Sequence, residues 1–383
     1  MSSRQYYTVA NATQQDTTSC TLVTALELKF TPDANKKYLL LGSALVRSST
    51  TAAVTAVISQ FTVDDGTALA IMYHFYRPRL STAWQPVLCA AVYTGGSSPT
   101  EIAFQMRWQA YNNMSSVKNI QLIAIRLEDN DTFSQNTSTS GQTTTSTSWQ
   151  DAQTLTFTPP SSGDYLIIAT AHSNTSSASY RTDICLDVGG VEMCVGQQRP
   201  FDVWNMPTWR ALHKVTLSAA STIKIKYKSS NALNTAMIRC TSIIALRLSD
   251  FPAFDYASSD ARSTTTSTSL QTKVSLDSLT LASKYWLALF SAQVDVSSTL
   301  YNRETSGGLG TTSFMLEVAR QDNTYANGDI PSYGLALWTT ASNTDKLNIR
   351  YRSSSTSGTA GIANARIVAL LLDVPFIPSA MIF

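Results

Sequence analysis

The stretch TSTSWQDAQTLTFTPPSSGDYLIIATA, Thr145 to Ala171, decides the fold. A hydroxyl-rich lead-in runs into LTFT, Leu155 to Thr158, whose period-2 alternation is that of a half-buried strand. Pro159-Pro160-Ser161-Ser162-Gly163-Asp164 then turns the chain. The apolar run that follows Tyr165 fits a central strand covered on both faces.

The same wording returns twice. KYLLLGSA at Lys37, DYLIIATA at Asp164 and KYWLALFSA at Lys284 pair Tyr38, Tyr165 and Tyr285, which lie 127 and 120 positions apart. A late alternating strand follows in each case: IAFQMRWQA at Ile102, IKIKYKSS at Ile223 and LNIRYRSS at Leu347. QLIAIRLED at Gln121, SIIALRLSD at Ser242 and RIVALLLD at Arg366 close the units, with Ala124, Ala245 and Ala369 at spacings of 121 and 124. Three landmarks in one order define an internal repeat, and the expected domains are 1-131, 132-253 and 254-383, the last with an apolar tail.

The fold class is therefore all-β, with three tandem β-sandwich, jelly-roll-like domains. A unit of this length holds about eight strands, the jelly-roll count, and an immunoglobulin-like Greek key is the alternative. The units hand over at LEDNDTF, Leu127 to Phe133, and LSDFPAF, Leu248 to Phe254. The Ser/Thr runs after these points read as extended edge strands in preference to flexible linkers. Short turns are expected around Trp204 to Trp209 and Asp322 to Gly328, and no long amphipathic helix is.

Charged residues make up 14% of the chain, against about 25% in an ordinary soluble domain, and Ser and Thr fill the loops. A surface of hydroxyls carries little charge repulsion against association, which suits a component of an assembly. The net charge of +2 and the alternation of Lys224, Lys226 and Lys228 with apolar residues argue for a solvated strand face and against a nucleic-acid footprint. No apolar run is long enough for a membrane span, and MSSRQYYTVANATQQ does not read as a secretory signal. Cys20, Cys89, Cys185, Cys194 and Cys240 have neither disulfide nor zinc spacing and read as reduced core thiols, with a hairpin contact between Cys185 and Cys194.

His74, His172 and His213 have no triad or metal spacing around them, and no hydrolase, zincin or P-loop motif is present. The chain is read as a non-enzyme with no cofactor and no metal. Asp64-Asp65-Gly66, Glu128 to Asp131 and Asp322 to Asp329 are explained by turn chemistry better than by calcium. Of the tryptophans, Trp108, Trp286 and Trp338 read as core. Trp204 and Trp209, flanking Pro207, read either as core or as an exposed interaction pair that could stack on sugars. The tail from Pro375 ends in Phe376, Ile377, Met381, Ile382 and Phe383, a sticky set that packs on its own domain or docks on a neighbour.

Tandem units worded TSTSW…LTFTP…GDYLIIATA resemble structural proteins of tailed-bacteriophage virions, especially capsid decoration or cement proteins and fibre-type modules. The resemblance implies a non-enzymatic virion protein, assembled in the host bacterial cytoplasm and released by lysis. Its implied partners are other virion proteins, the major capsid protein first, and further copies of itself, with neither nucleic acid nor membrane. The absence of heptads for a fibre stem favours the capsid. A tail fibre that recognises host surface glycan is the alternative.

Overall fold

A computed structural model of the chain describes residues 5–372 apart from 49–55, 65–68, 77–83, 112–113, 130, 178, 199–207, 277–284, 297–302, 310–311, 316–329 and 340–345. Asp65, Gly66, the 322–329 cluster, Trp204 and the tail residues 376–383 thus lie outside the described residues. Among those described, the helix content is one 3-10 turn, Leu248–Asp250.

The first sandwich is built from β1 (Tyr6–Asn11), β2 (Gln15–Thr17), β3 (Val23–Phe30), β4 (Lys37–Ser48), β5 (Ala56–Asp64), β6 (Leu69–Tyr76), β7 (Gln85–Thr94), β8 (Ile102–Tyr111) and β9 (Ser115–Leu127). The second uses β10 (Phe133–Ser138), β11 (Gln142–Thr144), β12 (Gln150–Phe157), β13 (Gly163–Thr175), β14 (Thr182–Val188), β15 (Val191–Gln198), β16 (Thr208–Leu217), β17 (Ser221–Ser229) and β18 (Ala236–Arg247). The third uses β19 (Phe254–Ser259), β20 (Ser263–Thr265), β21 (Gln271–Leu276), β22 (Tyr285–Val296), β23 (Arg303–Leu309), β24 (Thr312–Met315), β25 (Ile330–Thr339), β26 (Leu347–Ser353) and β27 (Ala360–Leu371).

The strand order is the same three times. One sheet runs β1-β9-β4-β7, β10-β18-β13-β16 and β19-β27-β22-β25, with β2, β11 and β20 carrying the first strand on after a break. The facing sheet runs β3-β8-β5-β6, β12-β17-β14-β15 and β21-β26-β23-β24. A chain that shuttles between two four-membered layers in this order is a jelly roll, which removes the immunoglobulin-like alternative.

The hydroxyl-rich lead-in is an edge strand followed by a built corner. The Thr17, Thr144 and Thr265 side chains accept from the backbone of Ser19, Ser146 and Ser267, whose own hydroxyls accept from residues 21, 148 and 269. The carbonyls of Ser19, Ser146 and Ser267 then accept from Ala110, Ser229 and Ser353 at 2.8–2.9 Å, tying each corner to the far sheet. Local side-chain bonds of this kind replace ladder bonds at a turn, which is why the composition is Ser and Thr.

The tyrosine alignment needs one correction. Tyr38 and Tyr165 point into their own cores and bond the preceding turn, Tyr38 accepting from the Asp33 amide at 3.0 Å and Tyr165 donating to the Ser161 carbonyl at 3.2 Å. In the third unit Trp286 takes that inward position, while Tyr285 packs on the opposite face. The bulges confirm the register: they follow Ser43, Thr170 and Ser291, each five residues past Tyr38, Tyr165 and Trp286. A one-residue slip reverses every side chain in a strand, so a shared Lys-Tyr pair misleads where the inward volume is Trp.

Each sandwich has its own core, and a fourth apolar cluster belongs to all three. It contains one middle layer of nine side chains from equivalent cross-strand rows: Ala90, Leu41 and Ile123; Leu212, Ile168 and Ile244; Leu335, Leu289 and Val368. The sheets that carry these rows are thus buried on both faces, one against their own core and one against their two counterparts. That double burial is the reason for the unbroken runs LLLG, LIIA and WLALF.

Because the shared cluster leaves no sandwich with an independent apolar surface, heat is expected to unfold the chain in one calorimetric transition. Ile168→Ala, at a fully buried position of the shared layer, is expected to cost about 2–5 kcal/mol in denaturant titrations without splitting that transition.

Candidate functional site

The three sandwiches meet along seams. Strand β7 of the first sandwich lies against β13 and β18 of the second, β16 of the second against β22 and β25 of the third, and β25 of the third against β4 and β7 of the first. Every interface uses a different patch on each side and the series closes after three steps, a ring with pseudo-threefold symmetry inside one chain.

Polar contacts bridge the first–second and second–third seams. Gln135 of the second sandwich exchanges two bonds with the backbone of Val92 in the first, and the Ser242 hydroxyl donates to Ala90. The Tyr333 hydroxyl of the third donates to the Thr208 carbonyl of the second. Asn364 donates to Val195 at 3.3 Å and to Gln293 at 2.6 Å. Gly196 is glycine for a reason of space, since a Cβ there would meet Trp209 at 2.6 Å and Gln293 at 2.9 Å.

A bulge residue at positive φ is the repeated seam contact that the sequence landmarks do not flag. Asn119, Cys240 and Asn364 have φ of 49°, 49° and 48°, and they lie five residues before Ala124, Ala245 and Ala369. Their spacing matches the closing-strand repeat. Two are asparagine and one is cysteine, so no single residue type marks the position.

The single-residue candidates fall as follows. Trp209 is fully buried in the second core, so of its two readings the structure takes the core one and not the exposed platform. Trp108 and Trp286 are core residues as expected, and Trp84 lies under the Arg47 guanidinium and the Lys118 ammonium. Trp149 is half-buried with Lys228 over its ring at 4.4 Å, beside a shallow polar hollow lined by Gln142, Thr144, Asp151 and Tyr227. In the Glu128 to Asp131 stretch, of which residue 130 lies outside the described residues, Asp131 accepts from the Glu128 amide, Asp129 pairs with Lys36 and Glu128 with Arg126.

Cys89, Cys185, Cys194 and Cys240 are buried thiols, and Cys20 is exposed, against the expectation that all five are core. Burial pushes the Cys185 thiol up to about 12 and Cys194 up to about 11, away from nucleophilic use. Lys224 and Lys226 line the solvated face of β17, paired with Asp151 and Asp187. His172 is buried. His213 sits in the seam between the second and third sandwiches, where burial first and Arg366 second pull its pKa down to about 4.

Asp260, which pairs with Arg366, opposes that shift, and Lys214 adds to it. Between pH 6.5 and 4 the unfolded chain takes up a proton at residue 213 that the folded chain refuses. This contribution is therefore present above pH 6.5 and lost as pH falls towards 4. Thermal melts at pH 7 and pH 4.5 are expected to show a smaller acid-induced drop for His213→Gln than for the unaltered chain; equal drops would assign the acid sensitivity elsewhere.

Exposed apolar side chains lie at both ends of the sandwiches, with Val191 in the β14–β15 turn at one end and Tyr111, Met114 and Leu233 at the other. Tyr111 and Met114 flank the β8–β9 connection, and Leu233, 89% exposed, tops the equivalent β17–β18 turn.

No protein-family model matches the chain, and no curated protein does. Among solved structures it is similar to one from Sulfolobus Turreted Icosahedral Virus, at 9% identity over 95% of this chain and 91% of that chain, with a TM-score of 0.23. The VP2 subviral particle of infectious bursal disease virus is similar at 6% identity over 98% and 83%, with a TM-score of 0.26. An archaeal virus structure reported for a triple jelly roll fold and turret assembly is similar at 10% identity over 95% and 90%, with a TM-score of 0.19. Likeness this distant carries no argument about function, and the jelly-roll assignment rests on the chain's own strand order.

Proposed function

We propose that the protein is a non-enzymatic structural component of a virion, more narrowly a capsid decoration or cement protein that binds shell subunits and stabilises them. The observation that carries this reading is the ring of three jelly rolls closed on a shared core. A chain with pseudo-threefold symmetry presents three near-equivalent outer surfaces, which match a place where three shell subunits meet. A low-charge, hydroxyl-rich exterior allows such contacts with little electrostatic repulsion.

The tip residues Tyr111, Met114 and Leu233 supply the apolar part of the contact. Burying apolar surface contributes about 25 cal/mol per Å2, and a specific interface takes about 800 Å2 from each partner. Multiplied over a shell, contributions of that order resist disassembly. The partners are the major capsid protein and further copies of this chain, in a particle assembled in the host bacterial cytoplasm.

The purified protein is expected to co-sediment with undecorated capsids, and Leu233→Ser to weaken that binding while leaving the melting temperature unchanged. Failure to co-sediment, together with saturable binding to host cells, would replace this reading. A receptor-binding role has one observation of its own, the half-buried Trp149 beside its polar hollow. It requires that host polysaccharide quench tryptophan fluorescence in the unaltered chain and not in Trp149→Ala.

A further inference from the structure

The ring has three seams, and chain order links two of them. Residues 128–132 run from Leu127, the end of the first sandwich, to Phe133, the start of the second, and residues 249–253 run from Leu248 to Phe254 in the same way. The third seam joins the last sandwich to the first, so chain order supplies no such link there. Lys37 lies over the Phe133 ring at 4.8 Å in the first seam, and Tyr285 packs on Tyr6 in the third, with ring centroids 6.1 Å apart. These are equivalent contacts. Phe133 and Tyr6 pair with Leu246 and Ile125, the residues after two of the landmark alanines, while Lys37 and Tyr285 each precede the inward aromatic, Tyr38 or Trp286.

The two links match the rims they cross. In the first, Asp129 and Glu128 pair with Lys36 and Arg126. In the second, Asp250-Phe251-Pro252 places Phe251, 4% exposed, in the apolar cluster that all three sandwiches share, and Asp250 accepts from the Thr132 amide of the first link at 2.6 Å. The rim of the third seam is aromatic, Tyr285 and Tyr6. Leu372 stands beside it, fully buried in the shared cluster, with its amide donating to the Tyr285 carbonyl at 2.9 Å. Asp373-Val374-Pro375-Phe376-Ile377 come next in sequence, repeating the Asp-X-Pro of the second link and carrying apolar residues where the first link is acidic. One donor at this seam is also unanswered. Tyr6 is 3% exposed, and its hydroxyl is buried without a hydrogen-bond partner among the described residues, a state that folded chains avoid.

We propose that residues 373–377 cross the third seam and clasp the last sandwich to the first. Val374 and Phe376, on one side of an extended segment, cover the Tyr6–Tyr285 pair, and a backbone carbonyl of the segment accepts from the Tyr6 hydroxyl. The occupant is the chain's own segment because Leu372 delivers it at the rim itself. Five residues bridge each of the other seams, and a segment tethered there meets Tyr6 at a far higher effective concentration than a second copy's segment does. The inference rests on the seam geometry and is independent of the virion assignment.

The test compares hydrogen exchange in the full chain and in the double variant Val374→Asp, Phe376→Asp at neutral pH. Opening the clasp is expected to speed exchange about tenfold in β1 and at the start of β22, and to leave β10 and β19, whose links are intact, unchanged. A second measurement stands even if that variant does not fold. With Phe376→p-benzoylphenylalanine in the full chain, irradiation is expected to join residue 376 to the peptide that carries Tyr6, with the product at the mass of a single chain. The absence of any cross-link to the first sandwich, cross-links between two chains, or unchanged exchange in β1 of a folded double variant would each overturn the proposal, the first by placing the segment on its own domain or on another partner and the second by giving the seam to a second copy.

Discussion

The constraint on which the rest depends is that three sheets share one apolar layer. Leu41, Ile168 and Leu289 stand at its centre, each in a sheet whose other face already fills a sandwich core. A strand in that position has no solvent face, so it admits no charge and little alternation. The consequence reaches the composition, because three of the chain's sheets draw on apolar residues for both faces. The outer sheets, such as the one containing β17, keep the alternation, and there Lys224, Lys226 and Lys228 lie on the solvated side.

Much of the fold was legible for this physical reason. Period-2 segments located the outer strands, and continuous runs located the doubly buried ones. Register was less legible. Lys-Tyr recurs before each run, but Trp286 replaces the tyrosine inside the third core, and pattern alone cannot tell which of two adjacent aromatics faces inward. The Ser/Thr stretches lie on edges, as their composition implies, whereas their corner geometry depends on bonds from Ser19, Ser146 and Ser267 to residues about 80 to 90 positions away, which no local reading reveals.

The sites were less legible than the fold, because a seam has no motif. In sequence Trp209 reads as a loop aromatic beside Pro207, whereas its burial and the approach of Gly196 show that its indole is enclosed. Arg210, next to it, gave no signal in sequence at all. It lies on the axial face of a strand whose other face is core, so that a long cationic side chain enters a place that three sandwiches close. Leu233 is the reverse case, an apolar residue in a polar turn whose exposure becomes evident once the turn is seen to be an outer tip.

The bulges show how the ring is held in register. Asn119, Cys240 and Asn364 adopt a left-handed backbone that asparagine tolerates and cysteine accepts at greater cost. Each residue reaches the neighbouring sandwich on the same side. Cys240 enters the core cluster of the first, Asn364 donates to Val195 of the second, and Asn119 lines a small cavity against Tyr333 of the third. The unfavourable backbone at Cys240 is therefore offset across a seam, by burial in another sandwich's core. A device repeated at three equivalent positions, each time spent on a neighbour, explains why the bulge is retained where its residue type is not. It also makes the ring directional, since every sandwich contacts its predecessor with its bulge and its successor with its β7-type edge strand.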